Sequence, residues 1–105
     1  MAAIPDSINK TINRYLDLLN KNGIKVVKAI LFGSCARGYQ SEWSDIDIAI
    51  VSDSFSGSRF ENRKKIRALT LKVNSSLEVQ PYSPDDFSEE DPFVKEIIDT
   101  GVQIV

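Results

Sequence analysis

The sequence predicts one α/β (α+β) domain in which helices flank a small mixed β-sheet. Segments with apolar residues at helical spacing alternate along the chain with short runs rich in β-branched residues. A chain of 105 residues has the size of a single domain, and 42% hydrophobic residues suffice for one core. We find no internal repeat, linker or low-complexity segment, so residues 1–105 are treated as one unit.

The first half of the chain predicts one helix and two strands. Apolar residues recur at helical spacing from Ile4 to Asn22, and Gly23 is a typical helix end. Ile24–Phe32 is rich in β-branched residues and predicts a strand. Gly33–Trp43 is predicted to form a turn, a short helix and a loop, and Ile46–Val51 a second strand. The element order therefore begins helix, strand, short helix, strand.

A second long helix is predicted over Arg59–Ser76, after a polar loop at residues 52–58. Ile66, Leu69 and Val73 form its apolar stripe. The opposite face is basic and comprises Arg59, Arg63, Lys64, Lys65, Arg67 and Lys72. Such a face is either ordinary solvated surface or an attraction for a triphosphate or an acidic partner. The sequence leaves both interpretations open.

The last third of the chain predicts a strand, a helix and a closing strand. Leu77–Tyr82 reads as a strand, and Ser83 followed by Pro84 has the chemistry of a helix start. Apolar residues further on predict a last short helix that ends near Thr100. Val102–Val105 is expected to close the sheet as an edge strand, and its exposed end would permit a homo-oligomer.

Composition narrows the function classes. A formal net charge of −2 argues against a protein whose main task is to coat nucleic acid. A single cysteine cannot form an internal disulfide, which suits a reducing cytoplasm, and no apolar run reaches the roughly 20 residues of a membrane span. The absence of histidine excludes Ser-His-Asp and Cys-His catalysis and argues against a zinc site.

Two aspartates stand two residues apart at the start of the second predicted strand. Because side chains alternate along a strand, Asp45 and Asp47 point to the same side, and two carboxylates on one side repel each other. A bound divalent cation would explain the pair, since hard cations take carboxylate oxygens and cancel that repulsion. The alternative is a solvent-facing strand whose acids only keep the sheet soluble.

The turn before the acidic pair has the chemistry of a phosphate site. Gly33 lets the backbone approach a ligand, and the segment from Ser34 to Arg37 resembles a first helical turn, whose N–H groups attract phosphate. Ser34 is a phosphate donor, a helix N-cap, or both. Arg37 neutralises phosphate or pairs with an acid, and Ser44 is expected to orient the Asp45 loop. A phosphate cradle beside a metal-binding pair indicates nucleoside triphosphate chemistry.

Gly33-Ser34, then ten residues, then Asp45-Ile46-Asp47 resembles the signature of the polymerase beta-like nucleotidyltransferase superfamily. The short chain and its Gly-Ser-x-Ala-Arg-Gly segment resemble the minimal nucleotidyltransferase branch, which occurs with HEPN-domain proteins in toxin–antitoxin pairs. The resemblance implies the superfamily's core fold. It also implies a third acid on the third strand, where Glu78 matches, although many minimal members have aspartate there. A surface charge on an edge strand is the other interpretation of Glu78.

The resemblance further implies an enzyme that uses two Mg²⁺ ions, held by Asp45, Asp47 and Glu78, with ATP as substrate. It would transfer AMP to a hydroxyl of a protein, and the implied acceptor is a tyrosine of a HEPN-domain toxin, which is thereby silenced. Two alternatives remain at this stage. One is a nucleotidyltransferase for a small acceptor such as an aminoglycoside, and the other is a non-catalytic subunit that masks its partner.

The charge argument predicts the behaviour of Asp45→Asn. Without metal, the acids at positions 45, 47 and 78 repel, so the substitution should abolish transfer yet leave the metal-free stability equal or higher. Thermal melts in EDTA measure this. A large drop in melting temperature would instead identify Asp45 as a structural residue that is hydrogen-bonded in the fold.

Overall fold

The computed structural model describes residues 6–33, 46–55, 59–73 and 77–105. Within these ranges the chain forms three α-helices, four strands and one 3₁₀ turn. In chain order these are α1 (Asp6–Lys21), β1 (Lys28–Phe32), β2 (Ile46–Val51), the 3₁₀ turn (Asp53–Phe55), α2 (Arg59–Val73), β3 (Leu77–Tyr82), α3 (Pro92–Thr100) and β4 (Val102–Gln103). No helix in these ranges combines the length and apolar character that crossing a membrane requires.

The four strands form one mixed sheet in the order β3-β2-β1-β4. β1 pairs antiparallel with β2 and with β4, whereas β2 and β3 run parallel. A parallel pair needs a crossover, which α2 supplies between β2 and β3. The small mixed sheet flanked by helices confirms the predicted fold class.

Helices cover both faces of the sheet, and each face has its own apolar cluster. The cluster beneath α1 and α2 is the larger one; its buried strand residues include Leu31, Ile46, Ile48, Ile50 and Leu77. α3 covers the opposite face, where Val94 and Ile97 pack with Ile30, Ala49, Val51 and Tyr82. Since strand residues alternate between the two clusters, the face to which any strand side chain belongs follows from its position.

α1 has the predicted apolar stripe and the predicted end. Ile12, Tyr15 and Leu19 are fully buried. Gly23 has a positive φ of 79°, and the next N–H group, that of Ile24, donates to the carbonyl oxygen of Leu19 at 2.9 Å. A left-handed residue followed by such a reverse hydrogen bond is a common way to end a helix.

A buried polar contact joins α1 to α2. The hydroxyl groups of Tyr15 and Thr70 lie 3.0 Å apart, and the Thr70 hydroxyl also donates to the carbonyl oxygen of Ile66 at 2.8 Å. Because the threonine has one hydroxyl proton and donates it to Ile66, the Tyr15 hydroxyl is the donor between the two side chains. Burial raises the pKa of Tyr15 to about 12.

Two predicted boundaries shift at the start of the chain. β1 begins at Lys28 rather than Ile24, because the Ile24 N–H group ends α1 and its side chain fills the core. The hydrogen-bonded link to β2 starts only at Val27, whose N–H group donates to the carbonyl oxygen of Val51 at 2.8 Å. Asn22 lies in the turn after α1. The predicted start at Ile4 is outside the described residues.

The helix start predicted at Ser83 is wrong. Ser83 begins a turn, in which its side chain accepts a hydrogen bond from the Asp86 N–H group at 3.2 Å. The chain then leaves helical geometry because Phe87 packs edge-on against Tyr82, with ring centroids 5.3 Å apart. The last helix begins at Pro92, where Asp91 is the N-cap. The same cap chemistry therefore operates eight residues later.

The remaining predicted elements are found with small differences. β2 and β3 have the predicted bounds, and α2 carries the predicted stripe of Ile66, Leu69 and Val73. α2 is described to Val73, so the predicted extension to Ser76 lies outside the described residues, as does the short helix expected after Gly33. β4 is an edge strand, as predicted, but it comprises only two residues.

The raised pKa of Tyr15 predicts weaker stability at high pH. An unfolded tyrosine ionises near pH 10 and the folded one near pH 12, so the unfolded state releases its proton first. The free energy of unfolding should therefore fall as the pH rises from 10 to 12, by about 3 kcal/mol in total. Denaturant melts of the wild type and of Tyr15→Phe across this range measure it. An equal decline in both proteins would show that other groups are responsible.

Candidate active site

Asp47 lies in the second strand between two neighbours that share its face. The register pairs Asp47 with Phe32 of β1 and with Glu78 of β3. Phe32 packs against the cluster beneath α3, so all three residues belong to the face that α3 covers only in part. The sheet thus forms a row of an aromatic residue and two acids across three adjacent strands.

Gly33 brings the backbone of the turn into contact with Asp47. The glycine has a positive φ of 75°, a conformation that residues with a Cβ adopt only with strain. A Cβ atom built there would also overlap the Asp47 Oδ2 atom and lie 3.3 Å from its Cγ. The carboxylate therefore occupies the space that any other residue's side chain would need.

Glu78 has the surroundings that the strand alternation predicts. Its neighbours Leu77 and Val79 pack into the cluster beneath α1 and α2, whereas Glu78 is exposed on the other face. Its register partner is Asp47, and adjacent strands lie about 4.8 Å apart. Two carboxylates so placed, with the space above Gly33 filled by an acid oxygen, fit the oxygen ligands of a divalent cation.

Several predicted site residues lie outside the described residues. They are Ser34, Arg37, Ser44 and Asp45, which occupy the segment between β1 and β2. Residues 6–33, 46–55, 59–73 and 77–105 contain no group of three acidic, histidine or cysteine side chains close enough to hold a metal. Asp45 is thus the residue on which a three-carboxylate site depends, and its role stays a prediction.

Phe93 borders the acidic row, and the sequence interpretation did not include it in the site. Its ring lies edge-on to Phe32, with centroids 5.9 Å apart and an interplanar angle of 86°. Phe93 remains 46% exposed, which is high for an aromatic ring. The alternation of β1 could have placed Phe32 beside Asp47, but no local signal shows that the start of α3 reaches it.

A groove of about 190 Å³ lies on the other side of Glu78, between α2 and β3. Its lining residues are Arg63, Ile66, Arg67, Thr70 and Leu71 of α2 and Leu77, Glu78, Val79 and Gln80 of β3. The Arg63 Nη2 atom donates to the Gln80 Oε1 atom at 2.6 Å. The predicted basic face of α2 therefore reaches the candidate site at Glu78 and is not confined to remote surface.

Comparison with known proteins gives three findings. A family model described as a nucleotidyltransferase domain matches residues 10–103. A Methanocaldococcus jannaschii protein named "putative protein adenylyltransferase" is 30% identical over 66 residues, which cover 62% of this chain. The chain spans less than half, 45%, of that relative. The crystal structure of a "putative nucleotidyltransferase" from Sulfolobus solfataricus superposes with a TM-score of 0.56 at 21% identity, covering 98% of this chain and 89% of that one, which shows a shared fold.

The contact between Gly33 and Asp47 predicts unequal costs for two glycine substitutions. Gly23 also has a positive φ, but no atom lies within 4 Å of the position of its missing Cβ. Gly23→Ala should cost about 1–2 kcal/mol of unfolding free energy from backbone strain alone. Gly33→Ala should cost about 1–3 kcal/mol more, because the Asp47 carboxylate must move.

Denaturant midpoints of the two variants measure the difference, and Asp47→Ala supplies the control. In that background the excess cost of Gly33→Ala should disappear, because no Oδ2 atom is left to be displaced. An excess that persists without the carboxylate would locate the strain elsewhere in the turn.

Proposed function

The chain belongs to the nucleotidyltransferase domain family, and on that premise we propose that it transfers AMP from ATP to a hydroxyl group of a partner protein. The observation that carries this proposal is the position of Asp47, in contact with Gly33 and in register with Glu78. A glycine turn in contact with one acid, beside a second acid on the next strand, is an arrangement suited to a metal-bound triphosphate.

The proposed reaction is an in-line displacement. The acceptor oxygen forms a bond to the α-phosphorus of ATP, the bond from that phosphorus to its bridging oxygen breaks, and pyrophosphate leaves. The hydroxyl proton passes to a carboxylate of the site or to water. Magnesium, when bound, would neutralise the phosphate charge, and Asp45, Asp47 and Glu78 are the residues that would hold it. Gly33 keeps the turn close to Asp47, and Ser34 and Arg37 would bind phosphate.

The proposal of a protein acceptor has two supports. The Methanocaldococcus jannaschii relative is named as a protein adenylyltransferase. The Gly-Ser-x-Ala-Arg-Gly segment resembles the minimal branch that occurs beside HEPN-domain proteins. We therefore propose a HEPN-domain toxin as the acceptor, a tyrosine as its modified residue, and an antitoxin role in the cytoplasm for this chain.

Transfer should depend on both described acids. The chain is incubated with magnesium, ATP labelled at the α-phosphorus and the HEPN-domain protein encoded by a neighbouring gene, and the label on that protein is followed. Asp47→Asn and Glu78→Gln should each lower the rate by about 100-fold or more, because each removes a charge from the reacting centre. ATP labelled at the γ-phosphorus should give no labelled protein.

Asp17→Asn is the matched control, since it removes one carboxylate from the exposed side of α1, where Asp17 pairs with Lys21 at 3.1 Å. Its transfer rate should equal that of the wild type. If the partner binds but gains no AMP, the chain acts by masking. If aminoglycosides are labelled and proteins are not, the acceptor is a small molecule.

A further inference from the structure

We propose that the protein acceptor binds as an extended acidic segment in the groove between α2 and the open edge of β3. This inference rests on the proposed transfer to a protein and specifies how the acceptor is recognised. Three independent features of the described residues support it: the free sheet edge, the charge of α2 and the position of Glu78 in the groove wall.

The edge of β3 can accept another strand. β3 is the outermost strand in the sheet order, so in the described part of the chain its outer N–H and C=O groups face no further strand. Such an edge pairs readily with an extended segment of a second chain. Pro81, which follows the last groove residue of β3, has no N–H group and is of a type tolerated mainly at edges. Pairing would thus be limited to Leu77–Gln80.

The charge of the groove selects an acidic occupant. α2 contains six Lys or Arg residues and one Glu, a net charge of +5, although the whole chain carries −2. Arg63 and Arg67 line the groove and are exposed, and the only described polar partner of Arg63 is the neutral amide of Gln80. An acidic segment would be attracted to this surface, and a basic one would be repelled.

The position of Glu78 links docking to transfer. Glu78 lines the groove and is also the register partner of Asp47. A segment paired with Leu77–Gln80 would lie about 4.8 Å from β3, so one of its side chains would stand beside Glu78. Leu71, which is 56% exposed at the groove, offers an apolar contact for another side chain of the segment. A tyrosine in an acidic, extended segment would therefore bring its hydroxyl group to the acids.

Peptide binding tests the docking directly and needs no ATP. The probe is a fluorescein-labelled peptide of alternating Glu and Val with one central Tyr, and its basic counterpart has Lys in place of Glu. By fluorescence anisotropy the acidic peptide should bind at least about tenfold more tightly than the basic one. N-methylation of the acidic peptide's alternate amides along one edge should abolish binding, since it removes strand pairing and keeps the charge.

Two charge reversals on α2 locate the binding surface. Arg67 lines the groove, whereas Lys65 is exposed on the same helix and does not line it. Arg67→Glu should weaken the acidic peptide about tenfold, and Lys65→Glu should change its affinity less than about twofold. Circular dichroism confirms that both variants are folded, and Arg63→Glu serves as a second groove variant. Equal effects at positions 65 and 67, or no binding of the acidic peptide, would overturn the proposal.

Transfer to the HEPN-domain partner separates this inference from the proposed function. If wild-type transfer occurs and Arg67→Glu lowers it as it lowers peptide affinity, both stand. If transfer occurs but neither groove variant changes it, the docking proposal is wrong and the activity stands. If the groove binds the acidic peptide as expected but no acceptor gains AMP, the proposed activity is wrong and the groove is a binding surface only.

Discussion

The contact between the Gly33 backbone and the Asp47 carboxylate fixes the arrangement of the candidate site. It requires glycine at position 33, and it requires that β1 and β2 pair in the register that places Phe32 opposite Asp47. A shift of one residue would turn Asp47 into the apolar cluster beneath α1 and α2 and bring Ile46 and Ile48 to the open face. The burial of those isoleucines therefore determines where the acid lies. Stability and chemistry are set by alternate residues of the same strand.

The two faces of the sheet divide these tasks. The face beneath α1 and α2 is closed by a continuous apolar cluster, to which the buried Tyr15–Thr70 pair adds a directional contact. The face beneath α3 is apolar only where Val94 and Ile97 cover it, and it is polar at Asp47 and Glu78. Because α3 is only nine residues long, it leaves the acidic row open to a ligand.

The sequence was sufficient where one periodicity dominated. The stripes of α1 and α2 and the bounds of β2 and β3 follow from apolar spacing, and the proximity of Glu78 to Asp47 follows from two strands that alternate in step. It failed where two segments had the same local chemistry. Ser83-Pro84 and Asp91-Pro92 are both good helix starts, and only the packing of Phe87 on Tyr82 decides between them. Phe93 and the groove were missed because they depend on contacts between distant elements.

The two outer strands of the sheet are very unequal, and this bears on assembly. β4 comprises two residues, whereas β3 comprises six. A filament grows by strand addition only if each copy offers one edge and covers another, so both borders must be long enough to act as templates. A border of two residues is too short for that purpose. The molecule can therefore capture one foreign strand at β3 and yet resist end-to-end polymerisation with its own copies.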